Sequence, residues 1–225
     1  MDETALTLST AAQDYLKTIY LLRGEGLVTT QSLADKLAVA PPSATAMVKK
    51  LAALHLVAHA PYRGVELTPA GEKIALEMVR HHRLIETYLA EVLGLSWDKV
   101  HDEAERWEHV ISEEVEAKIA AALGHPSHDP HGSPIPTLNG EIAHDDWLPL
   151  SQMEAGAQVI VRRVDDDSAE LLRHVQEVGL VPGTGVEILR AVPAEGVLQL
   201  RVGGKKRTIG LIPAQAIFVE DQGEK

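Results

Sequence analysis

The residues best suited to chemistry are the histidines and carboxylates of one short stretch, residues 101–109, which reads HDEAERWEH. A helix turns about 100° per residue, so His101, Glu105, Glu108 and His109 would share one arc of about 100°. Imidazole and carboxylate donors without sulfur suit a first-row divalent metal such as manganese, iron or zinc. The alternative is a solvated acidic helix face. A second histidine–glutamate pair one helical turn apart, upstream in the chain, favours a metal site.

This stretch and the acidic residues 112–116 after it resemble the metal-binding helix of the diphtheria-toxin-repressor family. That family comprises metal-dependent transcriptional regulators, and the manganese transport regulators form one branch of it. The resemblance covers nearly the whole chain. It implies a homodimer that binds double-stranded operator DNA when Mn²⁺ or Fe²⁺ is bound, acting as a repressor of metal-uptake genes.

The resemblance also implies a primary site, in which Asp14 of the first helix joins Glu105, Glu108 and His109. Carboxylates at Asp14 and Glu105 replace the methionine and cysteine of the iron-responsive branch, which makes Mn²⁺ the expected activator and Fe²⁺ its competitor. Lys17 stands where the bacillus-type manganese regulators carry a glutamate, so a two-metal cluster at this primary site is not expected.

For a second site the family offers two arrangements, and the residues alone leave both open. One arrangement, from the iron branch, uses His82, Glu86 and His101. The other, from longer manganese regulators, uses Glu86, Asp129 and His131. In both, the C-terminal domain contributes acidic ligands, and the candidates are Asp167 and Glu170.

The charge distribution points to the same part of the chain. The formal net charge is −12. Residues 76–150 hold 5 Lys/Arg against 15 Asp/Glu, whereas residues 1–75 hold 7 of each and residues 151–225 hold 9 against 11. Most of the eleven histidines also lie in the acidic middle block. A local excess of carboxylate and imidazole fits cation binding better than general solubility.

The N-terminal block predicts a winged helix-turn-helix. Amphipathic helices are expected over residues 8–22, 31–37 and 42–54, followed by a hairpin over residues 56–67 with its turn near Arg63. A small three-helix bundle is the alternative. On the third helix, small hydroxyls and lysines suit contacts to base edges and phosphates. The predicted DNA-binding residues are Pro42, Ser43, Thr45, Lys49, Lys50 and Arg63.

The rest of the chain predicts more helix and then a small β domain. Thr68 should cap a long helix that ends near Leu93, Ser96 should cap the next, and a third should run from Ser112 to Gly124. Short strands are expected over residues 158–164, 186–192, 197–202 and 208–212, with a helix over residues 168–178. The predicted fold is mainly α with a small β domain.

Three domains are therefore expected. Residues 1–75 would form the winged helix-turn-helix, residues 76–150 a helical metal-binding and dimerisation domain with a His- and Pro-rich linker, and residues 151–225 an SH3-like domain of the FeoA type. The chain has no cysteine and no apolar run of membrane-spanning length, so a cytoplasmic protein without disulfides or membrane contact is expected.

Two other function classes remain open at this point. The His/carboxylate cluster could be the catalytic centre of a metallohydrolase, which would need an open coordination position and a substrate pocket. Alternatively, the chain could be a DNA-binding protein with no dependence on metal. The winged helix argues against an enzyme, and no nucleophile context or Gly-rich phosphate loop is visible.

Overall fold

The computed structural model describes residues 8–60, 64–166, 168–192 and 195–223, without the side chains of residues 25 and 60. The chain divides into two compact units: residues 1–81 with 136–141, and residues 82–135 with 142–225. We call them unit 1 and unit 2. The domain limits expected from the sequence stay a prediction. No helix within the described residues is both long and apolar enough to cross a membrane.

Unit 1 begins with three helices, as the sequence predicted: α1 (Thr10–Leu22), α2 (Thr30–Lys36) and α3 (Pro41–Ala53). Helix α2 starts where Thr29 and Ser32 form a capping box, each side chain accepting a hydrogen bond from the other's backbone N–H. Helix α3 starts with proline in its first turn, where a missing N–H costs nothing. These local signals explain where α2 and α3 begin.

A two-stranded wing follows, in which β1 (Val57–Ala60) pairs antiparallel with β2 (Gly64–Leu67). Its tip, including Arg63, lies outside the described residues. The Thr68 hydroxyl accepts from the Gly71 N–H at 3.2 Å and so caps α4 (Pro69–Glu91), as predicted. Helix α4 ends at Glu91, two residues before the predicted end.

Unit 2 contains the end of α4 and two further helices, α5 (Val100–Trp107) and α6 (Glu113–Ala122). Ser112 caps α6 as predicted. The predicted start of α5 at Ser96 was wrong, since residues 97–99 form a turn and the Ser96 side chain makes no capping bond to it. Helix α5 also ends before residues 108–110, which form a turn. Glu108 retains helical dihedral angles there as the C-cap.

The β domain of unit 2 is a six-stranded antiparallel sheet in the order β3-β8-β4-β5-β6-β7. The strands are β3 (Leu148–Pro149), β4 (Gln158–Val164), β5 (Gly185–Val192), β6 (Val197–Val202), β7 (Lys205–Gly210) and β8 (Ile217–Asp221). Helix α7 (Ala169–Val178), capped by Ser168, lies in sequence between β4 and β5. Its Leu172 packs into the same core as Val161 and Leu198. The predicted fold class, with an SH3-like C-terminal domain, is confirmed.

One strand of this domain was misplaced by the sequence reasoning. The strand predicted over residues 208–212 is β7, which ends at Gly210, and a short helix, α8 (Leu211–Gln215), follows at once. Pro213 explains the difference, because proline removes a ladder donor from a strand but fits the first turn of a helix. Strands β3 and β8 were not predicted.

The start of α4 makes a testable close contact. A Cβ at Gly71 would lie 2.0 Å from the Leu56 carbonyl oxygen, and neither backbone can yield easily. We expect Gly71→Ala to lower the free energy of unfolding by about 2 kcal/mol, measured by urea denaturation. Gly24→Ala is the matched control, since its Cβ would meet nothing within 4 Å. Equal stability of the two variants would contradict the packing described for this helix start.

Candidate metal centre

Six side chains of unit 2 converge on one buried region, which we call the Glu86 cluster. They come from four separate segments, so no single stretch of sequence contains the site. They are His82 and Glu86 of α4, His101 of α5, Asp129 and His131 of the segment after α6, and Asp166 of the loop after β4.

Within the part of the chain that the structure describes, three buried donor atoms of the Glu86 cluster have no hydrogen-bond partner: Glu86 Oε2, Asp129 Oδ2 and His131 Nδ1. Glu86 and His131 are fully buried, and Asp129 is 6% exposed. Buried polar atoms are almost always hydrogen-bonded, because leaving one unpaired costs about 1–3 kcal/mol. Arg83 Nε lies 3.6 Å from Asp129 Oδ2, too far for a hydrogen bond. Two carboxylate oxygens and an imidazole nitrogen left in this way fit a divalent cation.

Hydrogen bonds fix the orientation of two of these donors. Asp129 Oδ1 accepts from the backbone N–H groups of His131 at 2.8 Å and Ser133 at 2.9 Å, which leaves Oδ2 as the available oxygen. His131 Nε2 lies 2.8 Å from the Trp97 carbonyl oxygen and must therefore donate its proton to it. In the neutral ring the lone pair is then on Nδ1, the atom that faces the cluster. Such support is typical of metal-ligating histidines.

Gly132 allows the segment carrying Asp129 and His131 to lie directly against β4. A Cβ at this position would meet the Arg162 carbonyl oxygen at 1.9 Å, and its φ of +89° is also unfavourable for other residues. The Val164 N–H donates to the His131 carbonyl oxygen at 2.9 Å. The end of β4 is thereby held beside Asp129 and His131, and the loop that follows it carries Asp166.

The other side of the Glu86 cluster contains two histidines in contact with each other. Glu86 Oε1 lies 3.1 Å from His82 Nε2 and 3.3 Å from His101 Nδ1. The two nitrogens are themselves 3.1 Å apart, and His101 Nδ1 is 3.7 Å from Asp166 Oδ2. These four side chains form a second potential donor set around the same buried carboxylate.

The cluster strongly shifts the pKa values of its members in the metal-free protein. Burial alone would lower the pKa of His101, but its interactions with Asp166 and Glu86 outweigh that effect and raise the pKa to about 10. Burial, together with the charge of Glu86, raises the pKa of Asp129 to about 7, against the opposing effect of Arg83. Although burial opposes it, the charge of His82 and hydrogen bonds from His101 and His82 hold the pKa of Glu86 well below its usual range.

His82 also faces the residues predicted for the primary site. Its Nδ1 lies 2.5 Å from Glu108 Oε2 and 3.8 Å from Glu105 Oε1. Glu108 Oε1 is in turn 3.4 Å from His109 Nε2. The structure therefore brings Glu105, Glu108 and His109 into one neighbourhood with His82. Asp14 is partly buried on α1 in unit 1, and its place in a primary site stays a prediction.

The sequence named two acidic ligand candidates in the β domain, and their role stays a prediction. Asp167 lies outside the described residues, and Glu170 is exposed in the first turn of α7, away from every donor group found. Asp166 is the residue that joins the Glu86 cluster. The available signal was the run of three aspartates at residues 165–167, directly after a predicted strand.

The predicted DNA-binding residues that can be described all lie in the first turns or on the exposed side of α3. Pro42, Ser43, Lys49 and Lys50 are exposed. The Thr45 hydroxyl donates to the Pro41 carbonyl oxygen at 3.0 Å and keeps its lone pairs for other contacts. Two lysines and two hydroxyls thus line one helix that could enter a groove.

The high pKa of His101 makes metal affinity depend on pH. Below about pH 10 the metal-free His101 ring is a cation with a proton on each nitrogen. The proton on Nδ1 must leave before that atom can bind an ion. Between pH 7.5 and 8.5, where Asp129 is mostly ionised, we expect His101 to add about one unit of log affinity per pH unit. A competition titration of Mn²⁺ with a fluorescent chelator would measure the slope. His101→Asn should reduce that slope by about one, whereas the exposed His174→Asn should not. An unchanged slope in His101→Asn would contradict the proton count.

Comparison with known proteins places this geometry in a family. Residues 7–65 match the N-terminal DNA-binding domain of iron-dependent repressors, residues 68–137 match their metal-binding and dimerisation domain, and residues 148–221 match the FeoA domain. The chain is 33% identical to the iron-dependent repressor IdeR of Mycobacterium leprae, over 92% of this chain and 95% of that one. It is 35% identical to the diphtheria toxin repressor of Corynebacterium glutamicum, over 78% and 82%.

A solved structure described as a manganese-dependent transcriptional repressor in complex with manganese is also similar. Its TM-score is 0.86 at 36% identity, covering 93% of this chain and 99% of that one. Matches that extend over nearly the full length of both chains confirm the resemblance seen in the sequence. The chain belongs to the iron-dependent repressor family, which includes the diphtheria toxin repressors.

Proposed function

We propose that this protein is a homodimeric, metal-activated transcriptional repressor that binds operator DNA and controls metal-uptake genes. The observation that carries the proposal is the set of unpartnered donor atoms in the Glu86 cluster, in a chain that begins with a winged helix-turn-helix. The M. leprae relative is an iron-dependent repressor, and the similar solved structure is a manganese-dependent one.

Helix α3 supplies the proposed contact with DNA. Lys49 and Lys50 are exposed and would contact phosphates, whereas Thr45 would contribute to sequence preference through its hydroxyl or methyl group. The net charge of residues 1–75 is zero, so these lysines are not overwhelmed by nearby acid. We propose from the resemblance alone that Arg63 at the wing contacts the DNA backbone.

The acidic character of residues 76–150 supports a link between metal and DNA binding. When bound, a divalent cation supplies positive charge to buried carboxylates that otherwise hold protons or repel each other. Protein without metal therefore carries more negative charge towards DNA phosphates. A conformation that binds the metal more tightly and DNA more tightly will be favoured by both ligands, which is the thermodynamic requirement for activation.

The donor types favour Mn²⁺ as the activator, with Fe²⁺ as the competitor. Raw affinity cannot explain such a preference, because Mn²⁺ binds most weakly in the Irving–Williams order. The carboxylates of Asp14, Glu105 and Glu108 are hard donors, which lose little affinity when the bound ion is Mn²⁺. The cluster adds Asp129 and Asp166, also hard donors, and no sulfur ligand is available anywhere among these positions.

A homodimer is supported by the match of residues 68–137 to a dimerisation domain. Within those residues, large apolar side chains are exposed on unit 2: Trp107 at 37%, Val110 at 79% and Val115 at 44%. Large exposed apolar side chains of this kind are available for an interaction surface. Two copies are also what a helix-turn-helix protein needs to read two half-sites.

A metallohydrolase and a metal-independent DNA-binding protein are the alternatives. The buried state of Glu86 and His131 leaves little room for a substrate at the cluster, and the matched family consists of repressors. We therefore propose no enzymatic activity. The metal-independent alternative is separated from our proposal by the experiment that follows.

Metal should be required for tight DNA binding. A duplex selected from a random library in the presence of Mn²⁺ should bind at least about tenfold more tightly with Mn²⁺ than with excess chelator, corresponding to about 1.4 kcal/mol of coupling. Anaerobic Fe²⁺ should activate at higher concentration than Mn²⁺. Fluorescence anisotropy measures both. Undiminished affinity in chelator would favour the metal-independent alternative and reject metal activation.

Lysines of α3 should contribute to the salt dependence of binding. Lys49→Ala and Lys50→Ala should each reduce the slope of log affinity against log salt by about 1, because each removes one phosphate contact. Lys118→Ala on α6 is the control, an exposed lysine outside unit 1, and should leave the slope unchanged. If both α3 variants keep the wild-type affinity and slope, α3 is not the recognition helix.

A further inference from the structure

We infer that the Glu86 cluster holds two divalent ions that share Glu86 and Asp166 as bridging ligands. The inference rests on the proposed metal dependence. It extends the second site expected from the sequence from one ion to a pair. It concerns only unit 2, because all six side chains belong to it. It is separate from the predicted primary site, for which the sequence argues against a pair.

The donors fall into two overlapping sets of four, and within each set the donor atoms lie within 4.8 Å of one another. The first set is His82, Glu86, His101 and Asp166. The second set is Glu86, Asp129, His131 and Asp166. Each set contains imidazole and carboxylate, and each offers four protein ligands to one ion, a number that leaves positions for water.

One ion cannot use both sets. Metal–ligand distances of about 2.0–2.2 Å keep any two donors of one ion within about 4.4 Å of each other. The six side chains do not form a single group even at 4.8 Å. A single ion can therefore be bound by only one of the two sets. The remaining donors of the other set then bind no ion.

Glu86 is oriented to serve both sets at once. Its Oε1 faces His82 and His101 at 3.1 and 3.3 Å, whereas its Oε2 lies 3.9 Å from His131 Nδ1. Asp166 Oδ2 is 3.7 Å from both His101 Nδ1 and His131 Nδ1. Carboxylates that present oxygens to two sets of donors are the bridging ligands of two-metal sites, in which the ions lie about 3.5–4 Å apart.

Neither single-ion arrangement uses all of the donors. An ion bound by His82 and His101 leaves Asp129 Oδ2 and His131 Nδ1 buried and unpaired. An ion bound by Asp129 and His131 leaves His82 Nε2 and His101 Nδ1 to share one proton in a hydrogen bond of 3.1 Å. A pair of ions uses all of these atoms.

The local charges accommodate a pair. Three carboxylates of the cluster, Glu86, Asp129 and Asp166, offset most of the charge of two ions, against the added positive charge of Arg83 beside Asp129. Further negative charge lies next to the first ion's position, because His82 Nδ1 is 2.5 Å from Glu108 Oε2. With an ion at Nε2, that Nδ1 must carry a proton and donate it to Glu108, which places a carboxylate behind the ligand.

Electron paramagnetic resonance of the Mn²⁺-loaded full-length protein tests the pair without altering the cluster. Asp14→Ala should remove the predicted primary ion and leave two ions per chain, counted by metal analysis after equilibrium dialysis. The spectrum should show an exchange-coupled Mn²⁺ pair, because shared carboxylates couple the two spins. One ion per chain, or two ions with an uncoupled spectrum, would overturn the inference.

Variants then assign the two positions in the Asp14→Ala background. Asp129→Asn with His131→Gln should leave one ion. Glu86→Gln should weaken the coupling, because an amide cannot bridge two cations through both of its atoms and only the Asp166 bridge remains. The control is Asp102→Asn with His174→Gln, both exposed residues of unit 2, which should keep two coupled ions. Circular dichroism confirms that each variant is folded.

The outcome is distinguishable from a failure of the proposed function. A coupled pair in a protein whose DNA affinity ignores chelator would sustain the inference and reject metal activation. Metal-activated DNA binding with a single ion in the cluster would sustain the proposed function and reject the inference.

Discussion

A fully buried carboxylate governs the organisation of unit 2. Removing the charge of Glu86 from water carries a large free-energy cost unless partners of opposite charge or hydrogen-bond donors surround it. Those partners come from α5, from the segment after α6 and from the loop after β4, so three distant parts of the chain meet at one residue. The meeting point ties the β domain to the helices through charge as well as through apolar packing.

The sequence was sufficient for the elements whose signals are local. The helix starts at Thr68, Ser112 and Ser168 and the apolar spacing of the helices predicted most of the described architecture. The start of α5 was missed because Ser96 resembles a cap but precedes a turn. The strand end at Gly210 was missed because Pro213, just beyond the expected strand, favours the first turn of a helix. Strands as short as β3 leave no periodicity to detect.

Individual candidate ligands could be named from the sequence, but their grouping could not. His82 and Glu86 are visible as a pair because helical spacing is regular. The segment after α6 is irregular, so its sequence does not predict the directions of the Asp129 and His131 side chains. The run of three aspartates at residues 165–167 does not show from sequence that Asp166 lies in the cluster, because that depends on the path of the loop. His82 could not be assigned to one site from sequence, because its two nitrogens face different groups of acids.

The packing of Trp97 has an optical consequence. Its indole stacks on the His131 ring, with centroids 5.3 Å apart and planes inclined by 30°. An ion held at His131 Nδ1 therefore lies close to an excited indole. Paramagnetic Mn²⁺ or Fe²⁺ quenches fluorescence at such range, whereas closed-shell Zn²⁺ does not quench by this route. Trp97 would thus report a paramagnetic ion held at His131 through the loss of its fluorescence.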